Sequence, residues 1–162
     1  MRPSSHLLVG AAVGALLGSA TGANPLELLI IGSIAGMMPD LDAFTSLLGR
    51  RPHRTPVMHS ILGSCVITLS WAVLYSLVRL SEPNPFETVP ALGSVFVVFL
   101  ASFLHSALDA LTTEGCFLWY PLSSKSLKGH VENSDAHYNL AVVLVSVCVT
   151  LFALIVQIHE LL

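Results

Sequence analysis

The sequence predicts an all-α membrane protein, a polytopic bundle of about five transmembrane helices of which the second is short. Composition is the first observation, because 54% of the residues are hydrophobic and only 10% are charged, against about 25% charged residues in soluble domains. The second is that long stretches without acidic or basic residues recur along the chain. A chain of 162 residues has room for one domain, and we assign residues 1–162 to it.

Four segments are long enough to cross a bilayer, and each lacks Asp, Glu, Lys and Arg: residues 3–26, 55–78, 88–108 and 136–159. At 1.5 Å per residue, each of them spans a hydrocarbon core about 30 Å thick. The shorter apolar segment 28–38 precedes the sequence PDLD, and it begins at Pro25 if Glu27 lies at the interface. A cleavable signal peptide is the alternative interpretation of the first segment, which runs from Arg2 into GSATGA.

Glycines recur every four residues in the first segment and form one helical stripe: Gly10, Gly14, Gly18 and Gly22. The second segment carries Gly32 and Gly36 at the same spacing. Small residues on both helices allow their backbones to approach closely. The pattern therefore predicts that the first two helices form a tight hairpin.

The distribution of Lys and Arg residues predicts the orientation in the membrane. Of the seven such residues, all except Arg79 fall on one side of a five-span topology. Because positively charged loops stay in the cytoplasm, we expect the amino terminus and the loops 39–56 and 113–137 on the cytoplasmic side of the cell membrane.

His and Asp residues gather at that same side. Odd-numbered helices begin there and even-numbered helices end there, so an up-down bundle brings together His6, Asp40, Asp42, His53, His59, His105, Asp109, Asp135 and His137. Within this set, His105 and Asp109 are four residues apart and share one helix face. We expect His59 one turn inside the third span. Structural histidines scattered at random would not favour one end of every helix.

These residue types predict a divalent metal site. His and carboxylate ligands without thiolates are typical of catalytic zinc and related sites, and the three cysteines form no CxxC pair. A charged carboxylate at the bilayer centre costs about 2.5–3.5 kcal/mol, so several near the boundary require cations. We predict one to three ions, most simply Zn²⁺, with ligands from His6, Asp40, Asp42, His53, His59, His105 and Asp109.

Each of these residues also has a structural interpretation. His105 and Asp109 would form a hydrogen-bonded helical pair, and either Asp40 or Asp42 would cap the helix end beside Pro39. His6 and His53 would be interfacial side chains. Asp135 would cap the fifth helix, with His137 beside it, instead of contacting substrate.

A catalytic metal would need further groups around it. Asp40 or Asp42 is the candidate general base. Arg54 and Lys125 are candidates for binding an anionic headgroup, with Asp135 and His137 as weaker substrate contacts. No HExxH or GxSxG motif occurs, which disfavours zincin-type proteases and serine hydrolases of that type. No basic run occurs either, so nucleic acid is not a predicted partner.

The motifs PDLD at 39–42, HRTPVMHS at 53–60 and HSALDALTTEG followed by CFLWYPLSS together resemble the YdjM-like family. Its members are bacterial and archaeal inner-membrane-associated proteins described as metal-dependent hydrolases, some of them LexA-regulated. The resemblance implies that His6 and the PDLD, HR and HxxxD residues belong to a metal site; His53 and His59 are six apart, and either or both are candidates. The ligand order is also similar to that of zinc-dependent phospholipase C and related nucleases, which hydrolyse phosphoesters.

The sequence thus predicts a membrane-embedded, metal-dependent hydrolase that uses a metal-activated water on a phosphoester of a lipid or other amphipathic substrate. A lipid amidase or ester hydrolase with the same metal site is one alternative. A metal-binding transporter or sensor without hydrolysis is the other, although a transporter would place ligands near mid-membrane.

Overall fold

The computed structural model of the protein describes residues 1–42, 55–81 and 91–161. The described residues form five α-helices: α1 (Pro3–Thr21), α2 (Pro25–Met37), α3 (Ile61–Ser81), α4 (Ala91–Ala110) and α5 (Ala136–Leu161). A 3₁₀-helix over Met38–Leu41 continues from α2. The helices α1, α3, α4 and α5 are long and apolar enough to cross a membrane, which confirms the predicted helical membrane architecture.

The second helix is short, as predicted, because local signals fix both of its ends. The side chain of Asn24 accepts a hydrogen bond from the backbone N–H of Leu26 at 3.1 Å, and Pro25 occupies the first turn. Pro39 then ends regular α-helical hydrogen bonding. The 13 residues of α2 rise about 20 Å, roughly two thirds of a hydrocarbon core.

The glycine hairpin predicted from the sequence is present. A Cβ at Gly14 would collide with the carbonyl of Leu28, and a Cβ at Gly10 would collide with the carbonyl of Gly32, so α1 and α2 pack backbone to backbone. Gly22 was wrongly included in this stripe. Its φ of 67° ends α1 in a left-handed turn, and nothing lies within 4 Å of where its Cβ would be.

Helix α4 lies at the centre of the bundle and packs against α1, α2 and α3, whereas α5 packs mainly on α1. The core between these helices is apolar, with Leu28, Val97, Val98 and Ala101 buried. Only 17% of the apolar membrane-crossing segment of α3 and 11% of that of α5 are buried inside the protein. The other apolar side chains of α3 and α5 therefore face outward, as lipid-facing helices require.

The loop between α4 and α5 folds back over one end of the bundle. Thr112 donates its hydroxyl to the carbonyl of Asp109 at 2.7 Å, and Gly115 adopts a φ of 68° beside the carbonyl of Leu127. The carbonyl of Leu118 accepts a hydrogen bond from the N–H of Ile61 at 2.8 Å. The loop thus turns at the end of α4 and contacts the first residue of α3.

Candidate metal centre

Four side chains from distant parts of the chain meet at this end of the bundle. Asp40 comes from the 3₁₀-helix, His59 from the turn before α3, and His105 and Asp109 from the last turns of α4. One ligand atom from each residue lies within 4.8 Å of the others. His59, His105 and Asp109 have side chains no more than 1% exposed, whereas Asp40 is 19% exposed. A buried His₂Asp₂ group of this kind could hold a metal ion.

The distances inside the group are longer than those of ordinary hydrogen bonds. The Nε2 atom of His105 lies 3.4 Å from Oδ1 of Asp40 and 3.6 Å from Oδ2 of Asp109. The Nε2 atom of His59 lies 3.6 Å from each of the same two carboxylate oxygens. Ligand atoms bound about 2.0–2.2 Å from a tetrahedral zinc are separated by roughly 3.3–3.6 Å. The spacing therefore matches ligands around one ion.

Neighbouring groups orient both imidazole rings so that Nε2 points inward. The Nδ1 atom of His105 lies 2.7 Å from the carbonyl of Gly36, and Nδ1 of His59 lies 3.3 Å from Oδ2 of Asp42. Such contacts at Nδ1 favour the tautomer whose Nε2 lone pair can bind a metal. The Nε2 atom of His105 is fully buried and has no hydrogen-bond partner among the described residues, which is a costly arrangement without a ligand.

Asp42 lies beside the four-residue group. Its carboxylate accepts a hydrogen bond from the backbone N–H of Thr55 at 2.7 Å and contacts His59 on the Nδ1 side. The side chain is buried. In this position Asp42 orients His59 and links it to residue 55.

His6 contacts the opposite oxygen of Asp109. Its Nε2 atom lies 3.3 Å from Oδ1 of Asp109, and its ring stacks on that of His105 with centroids 3.7 Å apart. The amino group of Met1 lies 2.8 Å from the same oxygen. Both ring nitrogens of His6 are buried without a hydrogen bond to other described residues, so His6 presents donor atoms next to the centre.

The electrostatics favour charged carboxylates. Burial would raise the pKa of Asp40, but contacts with His105 and His59 outweigh burial and hold the pKa well below its usual range. Burial would likewise lower the pKa of His59, but contacts with Asp40 and Asp42 raise it to about 8. A proton on His59 therefore compensates the carboxylates when no metal does so.

The remaining predicted residues lie elsewhere. Asp135 caps α5 by accepting a hydrogen bond from the N–H of Tyr138 at 2.9 Å, as its structural interpretation predicts. The side chain of His137 is fully exposed, and Lys125 is exposed in the loop before α5. His53 and Arg54 lie outside the described residues. His59 was expected one turn inside the third span but lies in the turn before it, because α3 begins at Ile61.

Two supporting groups were not anticipated from the sequence. One is the carbonyl of Gly36, which is among the last carbonyls of α2 and so lacks a partner within its own helix. Pro39 could have indicated it, because a proline that ends a helix leaves such carbonyls just before it. Asn139 accepts hydrogen bonds from the N–H of Arg2 and the hydroxyl of Ser5, both at 3.1 Å. It thereby fixes the start of α1, and with it His6, against α5.

Comparison with known families identifies the chain at the family level. The family model described as YdjM inner membrane protein matches residues 1–160. The chain belongs to the YdjM inner membrane protein family. The match covers every residue of the candidate metal centre. Because the family is one of inner membrane proteins, the match also confirms the predicted membrane location. Neither the curated proteins nor the solved structures contain a match to this YdjM chain.

Proposed function

We propose that this YdjM-family protein is a metal-dependent hydrolase that acts on a phosphoester in a lipid or other amphipathic substrate. The observation that carries the proposal is the buried His₂Asp₂ group, in which four side chains converge at ligand spacing where the membrane helices meet the covering loop. Carboxylates and imidazoles placed this deeply in an apolar bundle are expensive to bury unless they bind a cation.

Zinc is the metal that the donor set favours. Two imidazoles and two carboxylates, with no thiolate among them, match the nitrogen and oxygen donors of catalytic zinc sites. We assign Asp40, His59, His105 and Asp109 as the ligands of one ion. His6, whose ring nitrogens are buried without a hydrogen bond to other described residues, is proposed as a donor toward a neighbouring ion, within the predicted range of one to three.

A divalent ion held by these residues would act as a Lewis acid and would lower the pKa of a bound water toward about 7. The residues of the chain supply orientation and proton transfer. Asp42 and the carbonyl of Gly36 hold the two imidazole rings in the ligating tautomer. Asp40 is the most exposed carboxylate of the group. Its Oδ1 atom lies at ligand spacing from both imidazoles, and we propose that its other carboxylate oxygen accepts a proton from water.

The substrate is proposed to carry a negatively charged phosphate near the cytoplasmic face. All Lys and Arg residues except Arg79 fall in segments assigned to that face. Arg54, next to the described residue Thr55, is proposed to bind the phosphate through its planar guanidinium group, with Lys125 as a further cation. A site at the end of a membrane bundle suits a substrate whose apolar part remains in the bilayer.

The proposal is tested with detergent-purified protein supplied with Zn²⁺ and three sets of lipids. These carry a labelled phosphoester, acyl ester or acyl amide bond. Release of the phosphate product by the wild type, with loss of at least about 10²-fold in His105→Ala, is expected for a residue that holds the catalytic ion. Asp135→Asn is the matched control, since Asp135 caps α5 outside the cluster, and it should retain activity.

Each alternative gives a different result in the same experiment. Cleavage of only the acyl ester or acyl amide lipid would replace the phosphoester substrate but keep the hydrolytic site. Zinc binding with no cleavage of any lipid would contradict the enzyme and favour a metal-binding transporter or sensor.

A further inference from the structure

An apolar groove runs between α2 and α3 on the outside of the bundle. Both helices pack against α4, and Val98 of α4 lies between them at the floor of the groove. The volume is about 270 Å³, close to the lower end of the roughly 300–1,000 Å³ typical of ligand pockets. The walls are almost entirely apolar and include Ile31, Ile34, Ile67, Trp71 and Leu74.

One end of the groove lies at the metal centre. Met38 and Leu41, which flank the ligand Asp40 within the 3₁₀-helix, line it, and so does Met58, which precedes the ligand His59. Asp40 is 19% exposed, whereas the other three side chains of the group are no more than 1% exposed. The centre is therefore most open at the residue whose neighbours form the end of the groove.

The groove follows the helix direction into the membrane. Its α3 wall comes from Val66, Ile67, Ser70, Trp71 and Leu74, which lie along one helix face. From Ile61 to Leu74 the helix rises about 20 Å. The hydrocarbon layer of one leaflet is about 15 Å thick, so the groove is deep enough to follow an acyl chain through it. The indole N–H of Trp71 donates to the hydroxyl of Ser94 on α4 at 3.1 Å, which holds this wall in place.

We propose that the groove binds one acyl tail of a glycerophospholipid while its phosphate lies at the metal centre. The inference rests on the proposed function and extends it by naming the substrate class and the path of its tail. A tail that moves from the bilayer into the groove exchanges one apolar environment for another and gains little hydrophobic free energy. The groove would therefore select the tail by its shape, and its role would be to position the headgroup. The apolar walls continue to the residues next to Asp40 and His59. A ligand that fills the groove and reaches the centre must therefore have an apolar tail and a polar head.

Photo-crosslinking tests the groove without requiring catalysis. Phosphatidic acid with a diazirine in one acyl chain is added at low mole fraction to phosphatidylcholine vesicles that contain the zinc-loaded protein, and adducts are mapped by mass spectrometry. We expect more adducts on the groove walls than on outward-facing residues outside the groove, such as Leu69 and Leu77. Ser70→Phe should fill the groove and lower the adduct yield about tenfold or more, since the phenyl ring would occupy space that the acyl tail needs.

Ser76→Phe is the matched control. Ser70 and Ser76 are both exposed on α3, and both donate their hydroxyls to the carbonyl four residues earlier, but Ser76 does not line the groove. Its substitution should leave the yield unchanged. An even distribution of adducts over lipid-facing residues, or equal effects of the two substitutions, would overturn the proposal.

Hydrolysis is measured on the same samples so that the two proposals fail separately. Localised adducts that persist in His105→Ala, together with no phosphoester cleavage by the wild type, would support the groove and contradict the hydrolase. Cleavage of phosphatidic acid that is equal in Ser70→Phe and Ser76→Phe would support the hydrolase and contradict the groove as the path of the tail.

Discussion

Among single residues, the side chains that orient the proposed ligands should matter to metal binding as much as the ligands themselves. Each inward-facing imidazole has a fixed neighbour at Nδ1: the carbonyl of Gly36 for His105 and the carboxylate of Asp42 for His59. These neighbours determine which nitrogen carries the proton. Loss of an orienting group should therefore weaken metal binding without removing a ligand.

Asp42→Asn tests this role. We expect zinc affinity to fall about 10–100-fold, as for other groups that orient metal-binding histidines, and the helical fold to remain. Competition with a zinc chelator measures the affinity, and circular dichroism measures helix content. Asp135→Asn serves as the control, because it makes the same Asp-to-Asn change outside the centre, keeps an oxygen that can cap α5, and should leave zinc affinity unchanged. Equal affinity of Asp42→Asn and wild type would contradict the orienting role.

The pKa of His59 predicts how zinc binding depends on pH. In the metal-free protein this pKa is raised to about 8, so the proton must leave before His59 ligates. Apparent zinc affinity should therefore rise from pH 6 to about 8 and level off above it. Titrations at several pH values measure this, and constant affinity over the range would contradict ligation by His59.

The same pKa predicts the opposite trend for metal-free stability. Protonated His59 contributes stability that is fully present below its unfolded pKa of about 6.5, and this contribution is lost as pH rises through its folded pKa of about 8. The loss should approach about 2 kcal/mol. Thermal unfolding with a chelator present measures it, and saturating zinc should remove the trend. Greater metal-free stability at pH 9 than at pH 6 would contradict the assignment.

At the scale of helices, the α1–α2 hairpin positions His6 and the 3₁₀-helix that carries Asp40. A Cβ at Gly14 would collide with the carbonyl of Leu28, so Gly14→Leu should separate the two helices. We expect a loss of several kcal/mol of stability, typical of a severe core clash, together with reduced zinc binding. Thermal unfolding and metal analysis in detergent measure the two effects.

Gly22→Asn is the control for this substitution. Asn tolerates the left-handed conformation found at Gly22, and nothing lies within 4 Å of the position its Cβ would take. This variant should resemble wild type in both stability and zinc content. If Gly14→Leu were equally harmless, close packing of the hairpin would not be what supports the centre.

The helices themselves were largely predictable, because charge-free segments and helix-ending prolines and glycines leave clear marks in the sequence. Their boundaries were less so: Pro56 and Ser60 lie in the turn that delays α3 to Ile61, which moves His59 out of the helix. The residue set of the centre followed from its position at helix ends. The sequence could not tell which carboxylate is the proposed ligand, Asp40, and which orients His59, Asp42. The two residues differ only in the direction that the 3₁₀-helix and its end give to their side chains.

At the scale of the whole molecule, the alternating helix directions bring distant residues to one end of the bundle. The amino ends of α1 and α3 and the carboxyl ends of α2 and α4 meet there, as the contacts of His6, His59, Asp40 and Asp109 demonstrate. Sequence neighbours supply only the pair on α4. The distribution of positive charge predicts that this end is cytoplasmic.

Cysteine labelling of intact cells tests that orientation. In a variant without the three native cysteines, Ser124→Cys in the covering loop should react with a membrane-impermeant maleimide only after the cells are opened. Thr21→Cys at the other end of α1 should react from outside. Both positions are exposed. The reverse pattern would invert the topology while leaving the metal centre intact.

Metal analysis of the detergent-purified protein tests most directly whether His105 and its three partners bind a metal ion. After exposure to Zn²⁺ and removal of excess ion, the wild type should retain at least one zinc per chain, and Asp135→Asn should match it. His105→Ala should lose that ion while keeping its helix content, since a binding site missing one of four ligands is strongly weakened. Absence of stoichiometric metal from the folded wild-type protein would contradict metal binding at this centre.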